Sequence, residues 1–344
     1  MLRSVPRWLL WGLFLLAVLS GVLLWWVPRW RAEQSLASAE AALSEGRVDD
    51  ASVILRQATE SFPYRADIFL RWAEVERIND PQKALEIYRA IVAKGVLPSE
   101  AMPDAILLAF ELGASEEARK WLDSLEASHP DEVRLAGVLG VDAMLSGRMD
   151  EARRLFGEAK LLDPGWESIR YWEAQVLRQS PSSVDHLRAK ELLLDLAGKS
   201  SFEGLRAIFA LADSRNLALS VGKKTELLEE VFSHPFASPR WRLLARHYLY
   251  VLQPEKREAQ IEAARSDLAQ THPVLLAEWL NSIGAFEEAL DILPDDAQLA
   301  EGEVRTGFEQ RFLALTMSGK LEEAESLLLS SEADQDPVQR AVRL

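Results

Sequence analysis

Gly147-Arg148-Met149-Asp150-Glu151-Ala152, continued by Phe156, Ala159 and Pro164, is the stretch from which the rest of the chain can be read. Glycine takes a left-handed backbone without steric cost, so Gly147 ends one helix. The acids just after it suit the positive end of a second helix. Ala152 and Ala159 leave room for that second helix to pack closely on the first.

The pattern returns as Gly46-Arg47-Val48-Asp49-Asp50-Ala51, Gly284-Ala285-Phe286-Glu287-Glu288-Ala289 and Gly319-Lys320-Leu321-Glu322-Glu323-Ala324. Less complete copies are Asn79-Asp80-Pro81-Gln82-Lys83-Ala84 and Gly113-Ala114-Ser115-Glu116-Glu117-Ala118. Ala51, Ala84, Ala118 and Ala152 recur at a nearly constant interval. Pro63, Pro98, Pro130 and Pro164 keep the same beat, and Pro235 and Pro273 resume it after a gap. A period of about 34 residues belongs to a helix-turn-helix repeat.

At these positions the sequence resembles the tetratricopeptide repeat family. Ala51, Leu55, Ala58 and Pro63, and again Ala152, Phe156, Ala159 and Pro164, match the small, large, small and Pro pattern of that family's second helix. Leu139, Gly140 and Ala143 match its first helix. The resemblance implies an all-α fold, a right-handed superhelical solenoid of eight or nine helical hairpins. It also implies a concave groove that receives a segment of another protein.

The expected layout is a tail and transmembrane anchor over residues 1–31, well-matched repeats over 32–166, degenerate hairpins over 167–273, C-terminal repeats over 274–336 and a tail over 337–344. In the degenerate stretch, residues 206–213 with 225–232, and 241–252 with 255–268, read as helix pairs. Pro294 cuts short the helix that begins near Phe286.

Composition narrows the function. With 344 residues and 48% hydrophobic side chains the chain is too apolar for disorder. Lys and Arg number 39 against 54 Asp and Glu, a net charge of -15, which argues against binding a phosphate backbone; no nucleic-acid partner is expected. The absence of cysteine rules out disulfides, thiolate metal sites and a thiol nucleophile.

Residues 8–27 carry no charge. As a helix this run is long enough to match the hydrocarbon core of a bilayer, roughly 30 Å thick. Trp8, Trp11, Trp25, Trp26 and Trp30 flank the run, as do Arg3, Arg7, Arg29 and Arg31. The expectation is a single-pass membrane protein, contacting the bilayer through residues 8–27, with a short cytoplasmic tail and an exported, periplasmic body; a cytoplasmic body is the alternative orientation. Ala17-xxx-Gly21 is compatible with a homo-oligomer, although lipid-facing residues explain it as well.

No chemistry-bearing motif is complete. Gly222-Lys223-Lys224-Thr225 imitates the end of a phosphate-binding loop, but Leu217 stands where its first glycine belongs. His129, His234 and His272 each precede a proline at one repeat location, and equivalent positions on successive hairpins do not converge on a metal. The paired acids at 116–117, 229–230, 287–288 and 322–323 mostly start second helices, where they serve the dipole. The expectation is a non-enzyme without cofactor, catalytic residue or metal.

Counting along the first helices places Phe69, Ala73, Glu76, Leu107, Phe110, Val141, Met144, Tyr171, Gln175 and Arg178 on the concave side as candidate partner-binding residues. Internal packing of the same side chains is the competing reading. The functional expectation is a membrane-anchored scaffold that binds a partner protein or peptide in assembly of an envelope complex. The alternatives are a structural spacer, or an enzyme with a site hidden in 167–273.

Overall fold

The computed structural model describes residues 26–332, apart from 28, 46, 296–297 and 300–302, and among the described residues there is no strand. Their helices follow one another in pairs. The first five pairs are α1 (residues 29–44) with α2 (Val48–Ser61), α3 (Ala66–Asn79) with α4 (Pro81–Ala93), α5 (Met102–Glu111) with α6 (Ser115–Ser128), α7 (Leu135–Leu145) with α8 (Met149–Leu162), and α9 (Glu167–Gln179) with α10 (Ser183–Ala197). Then come α11 (Phe202–Asp213) with α12 (Val221–Glu230), α13 (Pro239–Leu252) with α14 (Arg257–Leu268), α15 (Pro273–Ser282) with α16 (Phe286–Ile292), and α17 (Val304–Met317) with α18 (Leu321–Glu332).

The turns obey the chemistry of the repeated glycine. Gly113, Gly147, Gly284 and Gly319 have φ of 76, 78, 82 and 81°. In each case the N–H of the next residue reaches back five residues, as Ala114 to the Ala109 carbonyl at 2.9 Å and Arg148 to that of Ala143 at 2.8 Å. This bond satisfies a helix-end carbonyl and fixes the angle at which the second helix leaves. The degenerate hairpins use another device. The Ser182, Ser201 and Ser220 hydroxyls accept from the backbone N–H of Asp185, Gly204 and Lys223, so side-chain caps start α10, α11 and α12.

The small residues of the repeat sit where helices touch. Ala51, Ala84, Ala118, Ala152 and Ala289 are all sealed from solvent. A β-carbon on Gly140 would stand 2.6 Å from the fully buried Phe156 ring, so α7 and α8 meet at a contact that only glycine allows. Pro294 lies just beyond α16, which is seven residues long and ends on extended Leu293.

Two compact units divide the chain: one runs to Ala218 and takes in His234–Phe236, the other comprises Leu219–Ser233 and the chain from Ala237. The division falls inside the degenerate stretch, 167–273. Each unit has its own apolar core, around Ile106, Phe156 and Ile169 in the first and Leu276, Leu280 and Ala289 in the second.

One expectation is corrected. Among the described residues no helix is long and apolar enough to cross a membrane, and the single-pass membrane localisation with an exported body is withdrawn. The stretch that suggested it, residues 8–27, lies outside the described residues except for Trp26 and Val27.

Candidate functional site

Burial sorts the ten residues expected on the concave side. Phe69, Ala73, Leu107, Phe110, Val141 and Met144 belong to the buried core of the first unit. Glu76, 2% exposed, accepts hydrogen bonds from the Ser52 hydroxyl, from Trp72 Nε1 at 2.8 Å and from Lys83 Nζ at 2.5 Å, and so ties α2, α3 and α4 together. Tyr171, Gln175 and Arg178 stay half-buried. Gln175 accepts from the Arg178 guanidinium at 2.9 Å, and Tyr171 lies under the Arg206 guanidinium, 4.1 Å from ring centre to carbon.

Open space in the first unit lies elsewhere, in a cavity of about 750 Å³ between α1 and α2, lined by Arg31, Gln34, Ile54 and Phe62, and in a second place where charged groups converge. A cleft of about 630 Å³ is walled by α1 and α3 on one side and by the starts of α5, α7, α9 and α11 on the other, with Pro235 and Phe236 at its edge. Helix starts present unbonded backbone N–H groups and positive dipole ends. Here three of those ends carry acids, Asp104 in the first turn of α5, Glu167 in that of α9 and Glu203 in that of α11, while Arg134 precedes α7. Arg77, in the last turn of α3, faces them.

Arg77 and Glu203 stand 126 positions apart in sequence, yet the Arg77 guanidinium lies 3.4 Å from carboxylate oxygens of both Glu203 and Glu111. Arg206 completes the ring, 2.8 Å from Glu111 and 3.8 Å from Glu203. The Ser168 hydroxyl donates to Glu203 at 2.6 Å, so α3, α5, α9 and α11 share one network. All four charged side chains are between 11 and 15% exposed. Phe202 closes it from the side, with Arg77 5.2 Å above its ring.

Buried charge shifts the titration of these groups. Burial works against Glu203 ionising, but the Arg77 and Arg206 charges and the Ser168 hydrogen bond outweigh it and hold its carboxyl below the usual range. Asp104 goes the other way: burial raises its carboxyl despite the pull of Arg77 and Arg134. Tyr88, 3% exposed beside the same cleft, is pushed up by burial and then by the Asp104 charge. Arg77 stays charged, its burial overcome by Glu111, Glu203 and Asp104.

Among the described residues there is no group of three or more His, Asp or Glu side chains placed to hold a metal ion. The sequence reading missed Arg77, Asp104, Arg134 and Glu203 as a set. For the two acids the available signal was a carboxylate in the first turn of the first helices α5 and α11, since the repeat itself places acids on second helices; nothing in the sequence marked the two arginines.

No family model matches this chain, and no curated protein matches it. Solved structures similar to it include one of pilF from Pseudomonas aeruginosa, at 19% identity and a TM-score of 0.39, covering 60% of this chain and 94% of that one. Another is a tetratricopeptide repeat protein from Parabacteroides merdae, at 14% identity and a TM-score of 0.37, covering 83% of this chain and 98% of that one.

Proposed function

We propose that this chain is a protein-interaction scaffold whose first unit holds a segment of a partner protein in the cleft between α3 and the starts of α5, α7, α9 and α11. The observation that carries the reading is the cleft itself: about 630 Å³, with Trp166, Phe202 and Phe236 beside charged groups. That volume is within the range of specific binding sites. Aromatic rings next to arginines are the composition of residues that dominate binding energy at protein interfaces. The second helices, with their acids turned outward, supply the rigid frame.

The test is site-specific photo-crosslinking in the native host, with benzoylphenylalanine in place of Phe236 in the cleft and, as control, of Glu116 at the outward start of α6. A distinct protein captured at 236 and not at 116 supports the scaffold. Capture at neither position, with the protein folded and abundant, leaves the spacer reading in its place.

A further inference from the structure

We propose that the cleft of the first unit selects a basic segment, one whose arginine or lysine side chains enter beside Glu40 and Glu74 while its backbone carbonyls accept from the cleft wall. The proposal rests on the reading of this cleft as the partner site and names the chemistry of its occupant.

Charge is the first ground. Each arginine in the wall is already held by a carboxylate. Arg77 is taken by Glu111 and Glu203. Arg134 lies 3.1 Å from Asp163 and 3.5 Å from Asp104. Arg71 bonds Glu74 at 2.7 Å, leaving the Glu74 side chain 56% exposed. Glu40, exposed on α1 at the same cleft, has no cation partner among the described residues. An anionic occupant would find every cation engaged and acids in surplus; a cationic one finds acceptors waiting.

An unmet donor is the second ground, independent of charge. Trp166 is 5% exposed, lines the cleft, and its Nε1, a neutral donor, has no hydrogen-bond partner. A buried N–H left unbonded costs free energy, and a small shift of the indole as a peptide enters the cleft would bring it to a backbone carbonyl that relieves that cost. An occupant that is basic in its side chains and carbonyl-rich in its backbone meets both conditions at once.

The experiment uses the full-length chain and two fluorescein-labelled peptides of equal length, a leucine-serine sequence bearing arginines at regular positions and the same sequence with glutamates in their place, followed by fluorescence anisotropy at physiological salt. The arginine peptide is expected to bind at least about tenfold more tightly. Glu40→Gln/Glu74→Gln is expected to weaken it by about tenfold. Trp166→Phe, which keeps the ring and removes the N–H, is expected to weaken it several-fold. Glu287→Gln/Glu288→Gln, in the second unit, is expected to leave it unchanged, separating the cleft from the general acidity of the chain.

Equal affinity for the two peptides, preference for the glutamate peptide, or arginine-peptide binding untouched by Glu40→Gln/Glu74→Gln overturns the proposal. Mapping the segments cross-linked at position 236 separates it from the reading beneath it. Captured segments without basic residues sink the selectivity and leave the scaffold, whereas no capture sinks both.

Discussion

Arg77 spends its charge on three acids at once, and the consequences of removing it are asymmetric. Arg77→Ala leaves Glu203 and Glu111 buried with Arg206 alone, so a loss of about 3–5 kcal/mol is expected in urea unfolding followed by circular dichroism. Arg77→Ala/Glu203→Ala recovers part of that loss because the orphaned carboxylate goes with it. A single-variant loss well below about 1 kcal/mol, the value of an exposed pair, would mean that the ring is not buried in solution. Glu203 and Asp104 then separate by sign. A carboxyl held below its unfolded value contributes stability above the usual carboxylate range and loses it as pH falls through the lowered value; this is Glu203. Asp104, raised by burial, weakens the fold while ionised and is relieved on protonation. Thermal unfolding at neutral pH should therefore show Glu203→Gln melting several degrees lower and Asp104→Asn unchanged or higher; the reverse order would contradict the assigned environments. None of this was legible in the sequence, where Arg77 and Glu203 are ordinary helix-end charges and their meeting depends on how hairpins far apart in the chain return to one another.

At the scale of the element, the turn glycines and the helix-contact glycine make different predictions. Gly147 has φ of 78° and nothing near its missing β-carbon. Gly147→Ala therefore costs only backbone strain, about 1 kcal/mol. Gly140 has ordinary helical backbone, but a β-carbon there would stand 2.6 Å from the Phe156 ring. Gly140→Ala therefore overpacks the α7–α8 contact, at about 1–3 kcal/mol despite the better helix propensity of alanine. Chemical denaturation of the two variants checks the order, and a stabilised Gly140→Ala would show that α7 and α8 are not in register. The elements themselves were readable. Gly113, Gly147, Gly284 and Gly319 punctuate the hairpins because a left-handed turn has few alternatives, and Pro294 shortens α16 because proline cannot continue a helix. The degenerate hairpins were readable as helix pairs but not by signature, because Ser182, Ser201 and Ser220 cap α10, α11 and α12 without needing the glycine turn.

For the whole molecule, periodicity specifies a stack of hairpins and leaves open which side chains the stack seals. Phe69, Leu107, Phe110, Val141 and Met144 carry the right spacing for an inner surface, and the packing of successive first helices makes them core. The cleft proposed for the partner lies instead at the starts of those helices, where single positions such as Asp104, Arg134, Trp166 and Glu203 contribute one side chain each. The central claim is that this cleft, and no other face, receives the partner. Deuterium uptake of the full-length chain, alone and in complex with the protein captured at position 236, tests it most directly. Slowed exchange at the C-terminal turn of α3, at the starts of α5, α9 and α11 and at residues 235–236 is the predicted result; protection confined to the outward faces of α6, α8 and α10, or to α17 and α18, would contradict it.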